Sequence, residues 1–241
     1  MKILEKLAAK AADNSGAPSV TIAFLGDSVT QGCFELAERS DGTFDNCHDR
    51  QSAYSADVAR ILGVLYPTVP VNIINAGVAG VGAPHGLARL DRDVLSHGPD
   101  LTVVCFGLND CGKGAEGIGI YTDALGQIFD RLITGGSEVI FLTPNMMATH
   151  VSPLAPSPLF RSIAETVSKR QMAGVLDRYL EAAKALCREK NISVCDCYAI
   201  WKQLSAGGVD TTALLANHIN HPTRQMHWLF AWELVRTMLE Q

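Results

Sequence analysis

The 241-residue sequence lacks any run of about 18 apolar residues, so it offers no candidate for a membrane-spanning helix. Lys2, Lys6 and Lys10 interrupt the apolar residues near the N-terminus, and a secretory signal peptide is therefore not predicted. No run of Lys or Arg is present and the formal net charge is −5, which argues against nucleic acid as a partner. Glycine and proline, with 21 and 10 residues, are too few for a collagen-like or disordered chain. These absences leave a globular protein for which we expect neither a membrane nor a nucleic-acid partner.

The sequence also gives little support for disulfide bonds. It contains seven cysteines, an odd number, and no predicted signal peptide. This combination fits a reducing compartment better than a disulfide framework. We therefore expect free thiols and a cytoplasmic location.

Five short apolar runs rich in β-branched residues have the character of strands buried on both faces: 20–25, 71–74, 101–106, 138–142 and 192–195. Segments with helical spacing alternate with them: 52–65, 85–95, 121–133, 162–190 and 223–239. This alternation predicts parallel strands joined by right-handed helical crossovers, which is an α/β fold in the form of a three-layer α/β/α sandwich. Because no polar linker interrupts the pattern, we expect residues 1–241 to form a single domain.

Two stretches have no clear period, namely residues 31–50 and residues 144–158. Both follow a predicted strand, so they are expected as loops at the carboxyl edge of the sheet. Ligands of open parallel sheets bind at that edge, and long loops in compact domains are often functional. Because residues 31–50 are polar, we expect the ligand at this edge to carry hydroxyl groups, as a polar alcohol or a sugar does, rather than to be a lipid.

A serine lies directly after the first predicted strand, in the sequence Gly26-Asp27-Ser28. A tight turn at a strand end is a suitable place for a nucleophile, provided that a base accepts the hydroxyl proton and that donors bind the developing oxyanion. The alternative is an ordinary strand-to-helix turn in which Asp27 or Ser28 caps the helix.

Residues suited to those supporting roles occur at other strand ends. Asn75-Ala76-Gly77 follows the second strand and Gly107-Leu108-Asn109-Asp110 follows the third. A glycine lets its N–H approach a ligand closely, and an asparagine offers an uncharged NH2 donor, although both residues also occur in turns for conformational reasons alone. His221 precedes Pro222 just before the last helix, in a segment expected to be extended.

Taken together, these four motifs resemble those of the SGNH hydrolases, the superfamily of GDSL-type esterases and lipases. The resemblance implies a flavodoxin-like sandwich with five parallel strands in the order 2-1-3-4-5. It further implies that Ser28 is the nucleophile and His221 the general base. The oxyanion hole would consist of the N–H groups of Ser28 and Gly77 and the side chain of Asn109.

The sequence departs from that family at one position. Members usually carry an aspartate three residues before the catalytic histidine, where this chain has His218. The group that orients His221 could be a backbone carbonyl, which we favour, or His218 itself, or Asp210 if the intervening turn folds back. A metal site built from His218, His221 and His227 is disfavoured because the spacing fits no common zinc pattern.

The sequence thus predicts a serine esterase that hydrolyses a small ester substrate through an acyl-enzyme. An acetyl or short acyl group is expected, with a carbohydrate as a candidate for the alcohol part, and with no metal and no cofactor. The alternative, which the missing aspartate makes plausible, is a catalytically weak or inactive protein of the same fold that binds a carbohydrate or acyl ligand.

Overall fold

The protein is described by a computed structural model that covers residues 1–240. Five parallel strands form the central sheet: β1 (Val20–Gly26), β4 (Val71–Gly77), β5 (Leu101–Cys105), β6 (Glu138–Leu142) and β7 (Ser193–Cys195). Their spatial order is β4-β1-β5-β6-β7, which is 2-1-3-4-5 when only these strands are counted. The predicted α/β fold and strand order are therefore confirmed. Every residue of β5 is buried, as a strand covered by helices on both faces requires.

Ten α-helices are assigned in the described chain: α1 (Lys2–Ala12), α2 (Ser28–Gln31), α3 (Tyr54–Leu65), α4 (Ala83–Ala88), α5 (Leu90–Asp93), α6 (Ile118–Thr134), α7 (Pro158–Met172), α8 (Val175–Lys190), α9 (Cys197–Ala206) and α10 (Arg224–Leu239). The predicted helix over 162–190 is two helices, because Gly174 adopts a left-handed conformation (φ 64°) between them. The segment 85–95 likewise contains two short helices rather than one. Helix α9 was not predicted; the Asp196 side chain caps it by accepting a hydrogen bond from the N–H of Ala199 at 3.2 Å.

Residues 31–50 are more regular than the sequence predicts. They contain a second, two-stranded antiparallel sheet formed by β2 (Cys33–Glu38) and β3 (Phe44–His48). Between the strands, the Asp41 side chain accepts a hydrogen bond from the N–H of Thr43 at 2.9 Å and fixes the turn. The expectation of an irregular loop is wrong here, because most side chains of the hairpin are polar or exposed and the sequence shows no clear apolar alternation. This hairpin carries Phe34, which is fully buried.

The carboxyl ends of β1 and β4 are tied together by one buried arginine. Arg89 donates hydrogen bonds from Nη1 to the carbonyl of Ala76 (2.6 Å) and from Nη2 to the carbonyl of Gly26 (2.9 Å). The two strand ends are thereby held at fixed separation, directly before the segments that supply the candidate site. No helix among residues 1–240 is long and apolar enough to cross a membrane.

Candidate active site

Ser28 begins the short helix α2 immediately after the first strand of the sheet. The Asp27 side chain caps this helix, since its Oδ1 accepts a hydrogen bond from the N–H of Val29 at 3.0 Å. The capping turn that the sequence allowed is therefore present. Because Asp27 is the residue that caps the helix, the hydroxyl of Ser28 is not needed for capping. The N–H of Ser28, at the first helical position, has no intrahelical acceptor. The serine is only 5% exposed, so its hydroxyl reaches a sheltered space rather than open solvent.

His221 contacts this serine directly, although 193 positions separate the two residues. The Nε2 atom of His221 lies 2.9 Å from Ser28 Oγ, and its Nδ1 atom lies 3.0 Å from the backbone carbonyl of Phe34. A carbonyl can only accept a hydrogen bond, so Nδ1 carries the proton and the lone pair of Nε2 faces the serine hydroxyl. Burial lowers the pKa of His221 to about 4, which keeps the imidazole neutral near pH 7. A neutral imidazole in this tautomer is able to accept the serine proton.

The carbonyl of Phe34 thus occupies the position of the orienting group, as the favoured alternative from the sequence expected. Asp210 does not reach His221: its Oδ1 accepts the N–H groups of Thr212 (3.0 Å) and Ala213 (3.4 Å), and its Oδ2 lies 3.7 Å from His150 Nε2. His218 has a left-handed backbone (φ 55°), and its side chain lines an adjacent cavity instead. Neither of the two side-chain alternatives is therefore the partner of His221 in this structure.

Asn217 holds the turn that carries the histidine, a role the sequence did not suggest. Its Oδ1 accepts hydrogen bonds from three successive backbone N–H groups, those of Ile219 (3.0 Å), Asn220 (2.9 Å) and His221 (2.9 Å). The side chain is 7% exposed, so these N–H groups have limited access to water. This arrangement fixes the backbone from which the imidazole projects.

Asn109 lines the same cavity as Ser28 and His221. Its Nδ2 donates to the carbonyl of Val81 at 3.0 Å and, over a longer 3.3 Å, to Asp27 Oδ2. The hydrogen bond to Val81 fixes the plane of the Asn109 amide. The longer contact to Asp27 is the weaker of the two, so the Nδ2 hydrogen that makes it is the one available to a developing oxyanion. Burial raises the pKa of Asp27 to about 7.

Gly77 does not line this cavity. Its N–H donates to Asn75 Oδ1 at 3.0 Å, and a Cβ at this position would lie 2.2 Å from the backbone nitrogen of Gln31. The glycine is therefore needed for close packing of β4 against α2. Gly80, three residues later, lines the cavity with Ser28, has a left-handed conformation (φ 75°), and its N–H has no acceptor among residues 1–240. The sequence suggested Gly77 for the oxyanion hole and did not point to Gly80, whereas Gly80 is the glycine that lines the cavity beside Ser28.

The cavity around Ser28 has a volume of about 230 Å³. Its wall combines a set of apolar side chains with several neutral amides and one arginine: Leu36, Phe44, Leu108, Met147, Ile163, Val167, Ile219, Asn46, Asn217, Asn220 and Arg170. Residues thus converge on the serine from the hairpin, from α7 and from the segments that follow β4, β5 and α9.

The histidine-rich segment near the C-terminus shows no metal-binding arrangement. Within the described part of the chain, no group of three or more His, Cys, Asp or Glu residues could hold a metal ion. His227 is fully buried, and its Nδ1 accepts a hydrogen bond from the N–H of Tyr54 at 3.0 Å. This contact gives His227 a structural role between α10 and the start of α3.

Comparison with known proteins identifies relatives of this fold. A curated acetylxylan esterase from Geobacillus stearothermophilus is 30% identical over 87 residues, which are 36% of this chain and 38% of that protein. A crystal structure of an acetylxylan esterase from the same organism superposes with a TM-score of 0.64 at 22% identity, covering 91% of this chain and 94% of the other. A two-domain esterase active on acetylated mannans superposes with a TM-score of 0.68 at 20% identity.

The two-domain esterase is matched by 99% of this chain, which spans only 52% of the length of that protein. At these identities the structural matches establish the fold alone. The family model for GDSL-like lipases and acylhydrolases matches residues 24–229, a range that includes every residue assembled around Ser28. The chain belongs to the GDSL-like lipase/acylhydrolase family.

Proposed function

We propose that the protein is a serine ester hydrolase that removes a small acyl group, most simply acetyl, from a hydroxyl of a carbohydrate. The observation that carries this proposal is the alignment of Ser28 Oγ, the imidazole of His221 and the carbonyl of Phe34, with separations of 2.9 and 3.0 Å. Nucleophilic catalysis by serine requires a base in hydrogen-bond contact and a third group that orients the base.

In the proposed reaction, Ser28 Oγ attacks the ester carbonyl while its proton moves to His221 Nε2. The negative charge on the carbonyl oxygen is stabilised by the N–H groups of Ser28 and Gly80 and by the side-chain amide of Asn109. Collapse of the tetrahedral intermediate breaks the bond to the alcohol, which leaves with the proton from His221. A water molecule then gives a proton to the same nitrogen and attacks the acyl-enzyme, releasing the acid and restoring the serine.

The size and lining of the cavity support a small acyl group and a polar alcohol. A volume of about 230 Å³ accommodates a small acyl group. The amides of Asn46, Asn217 and Asn220 offer donors and acceptors of the kind that hydroxyl groups of a sugar require. The names of the acetylxylan esterase and of the esterase active on acetylated mannans support the same substrate class.

The proposal is tested by hydrolysis of p-nitrophenyl acetate and by reaction with a fluorophosphonate. We expect turnover by the wild-type protein, covalent labelling of Ser28 alone, and loss of both in Ser28→Ala. Ser137→Ala is the matched control, because Ser137 is equally buried but lies before β6 at the opposite edge of the sheet, where it is paired with Thr102. A folded wild-type protein that neither hydrolyses the ester nor takes the label would refute the proposal and favour the binding-protein alternative.

A further inference from the structure

One positively charged side chain lines the cavity around Ser28. Of the side chains that line it, only Arg170 of helix α7 carries a formal charge at neutral pH. The other polar side chains are serine, neutral asparagines and His221, and no carboxylate lines the cavity. The whole chain has a net charge of −5, so the positive charge of this cavity is a local feature and not a reflection of the composition.

Arg170 is half-buried and has no ion-pair partner among residues 1–240. Its guanidinium lies beside the turn after β5, where a Cβ built on Gly112 would be 3.8 Å from Nη1. The neighbouring thiol of Cys111 does not neutralise it, because burial raises the pKa of Cys111 to about 11 even though the charge of Arg170 opposes that rise. The positive charge is therefore uncompensated.

Arg224 provides a contrast close to the same site. It forms ion pairs with Glu35 (2.6 Å) and Asp49 (2.9 Å), so two carboxylates of the protein balance its charge. A guanidinium that is partly removed from water and left without a carboxylate gains most from an anion brought by a ligand. Its planar array of donors also matches the oxygen pairs of carboxylate and phosphate groups.

We propose that Arg170 binds an anionic group, a carboxylate or a phosphate, on the alcohol part of the ester that Ser28 attacks. This inference rests on the proposed esterase function and specifies its substrate class as acyl esters of acidic alcohols such as sugar acids or sugar phosphates. The anion is placed on the alcohol because acetyl, the simplest acyl group proposed above, carries no ionisable group.

The test uses phenyl acetates that differ in a single ring substituent at the meta or para position: a carboxylate, a phosphate or a neutral carboxamide. The measured quantity is the ratio of kcat/KM for each charged ester to that for the neutral ester. A hydrogen bond between charged groups stabilises a complex by enough free energy to change its affinity by about 10- to 100-fold. We therefore expect this ratio to fall by about that factor in Arg170→Gln, mainly because KM for the charged ester rises. Arg170→Lys, which keeps the charge but not the planar fork, should retain part of the preference.

Arg178→Gln is the matched control, because Arg178 is an exposed arginine of the next helix, its Nη1 donates to the carbonyl of Ala173, and it does not line the cavity. Its ratio should equal that of the wild type. Whichever of the carboxylate and phosphate esters has the larger ratio identifies the anion that Arg170 prefers. Equal ratios in wild type and Arg170→Gln would overturn the inference while leaving the esterase proposal intact. By contrast, failure of the wild type to hydrolyse any of the esters, together with no fluorophosphonate labelling, would overturn both.

Discussion

A single amide oxygen accepts three backbone hydrogen bonds of the turn that carries His221, and its contribution can be tested by Asn217→Ala. In the structure, Asn217 Oδ1 accepts the N–H groups of Ile219, Asn220 and His221. Alanine has no acceptor to replace it, so the substitution leaves three N–H groups of a largely buried turn unpaired. We expect a loss of stability together with a displacement of the imidazole.

The magnitude follows from the number of hydrogen bonds. An unpaired buried N–H costs about 1–3 kcal/mol, and three such groups at the low end of that range, appropriate beside a cavity that water enters, cost about 3 kcal/mol. For a domain of this size each kcal/mol lowers Tm by about 2–4 °C, so Tm should fall by about 6–12 °C. A shift of the imidazole by about 1 Å is enough to lower kcat by about 10²-fold.

The assay compares kcat, KM and thermal melts for Asn217→Ala, Asn217→Asp and Asn72→Ala. Aspartate keeps an acceptor for the three N–H groups, so we expect Asn217→Asp to retain most of kcat. Asn72 is exposed and its side chain donates to Thr21 Oγ1, so its substitution should change neither the kinetic constants nor the melting temperature. An Asn217→Ala protein with wild-type kcat, or an Asn217→Asp protein as impaired as the alanine variant, would refute the claim that accepted hydrogen bonds hold the histidine.

Three further outcomes are expected from the geometry of the site. Because burial lowers the pKa of His221 to about 4, and the neutral imidazole is the base, kcat/KM should stay level down to about pH 5 and fall with acid only near pH 4; an acid limb centred near the ordinary value of 6.5 would contradict this. We expect His218→Asn and Asp210→Asn to leave kcat almost unchanged, since neither side chain is the partner of the imidazole. Asparagine is chosen at position 218 because it tolerates the left-handed backbone. A large loss of kcat confined to one of these variants, with an unaltered melting temperature, would restore that residue as the orienting group. Asn109→Ala should lower kcat by about 10²–10³-fold with a small effect on KM, and steady-state kinetics with unchanged kcat would remove this amide from the oxyanion hole.

Much of the fold could be predicted from the sequence, because buried parallel strands leave a strong signal. The run at 138–142 matches β6 at both ends, and those that start at Val20, Val71 and Leu101 begin their strands at the same residues. The hairpin formed by β2 and β3 was missed because most of its side chains are polar or exposed, and only Cys33 and Phe34 are buried. In that setting pairing is decided by the turn and by tertiary contacts rather than by an apolar pattern.

The candidate site divides in the same way. In the proposed reaction Ser28, Asn109 and His221 act through side chains of distinctive chemistry. Each follows a predicted strand or precedes the last helix, so sequence alone could indicate them. Gly80 and the carbonyl of Phe34 act through the backbone, which every residue possesses, and no residue type marks such a role. The sequence pointed to Gly77, and Gly80 emerged only from the observation that it lines the cavity while Gly77 does not.

A neutral orienting group has a consequence for how the proposed reaction is driven. The carbonyl of Phe34 fixes the tautomer of His221 but supplies no full negative charge to stabilise the imidazolium that forms as Ser28 attacks. The same burial that lowers the pKa of His221 to about 4 makes it a weak base, so proton transfer from the serine is less favourable than in a triad with a carboxylate. More of the stabilisation of the transition state must then come from the oxyanion donors. In the proposed reaction we therefore expect the N–H groups of Ser28 and Gly80 and the amide of Asn109 to carry a larger share of catalysis than the partner of the histidine does.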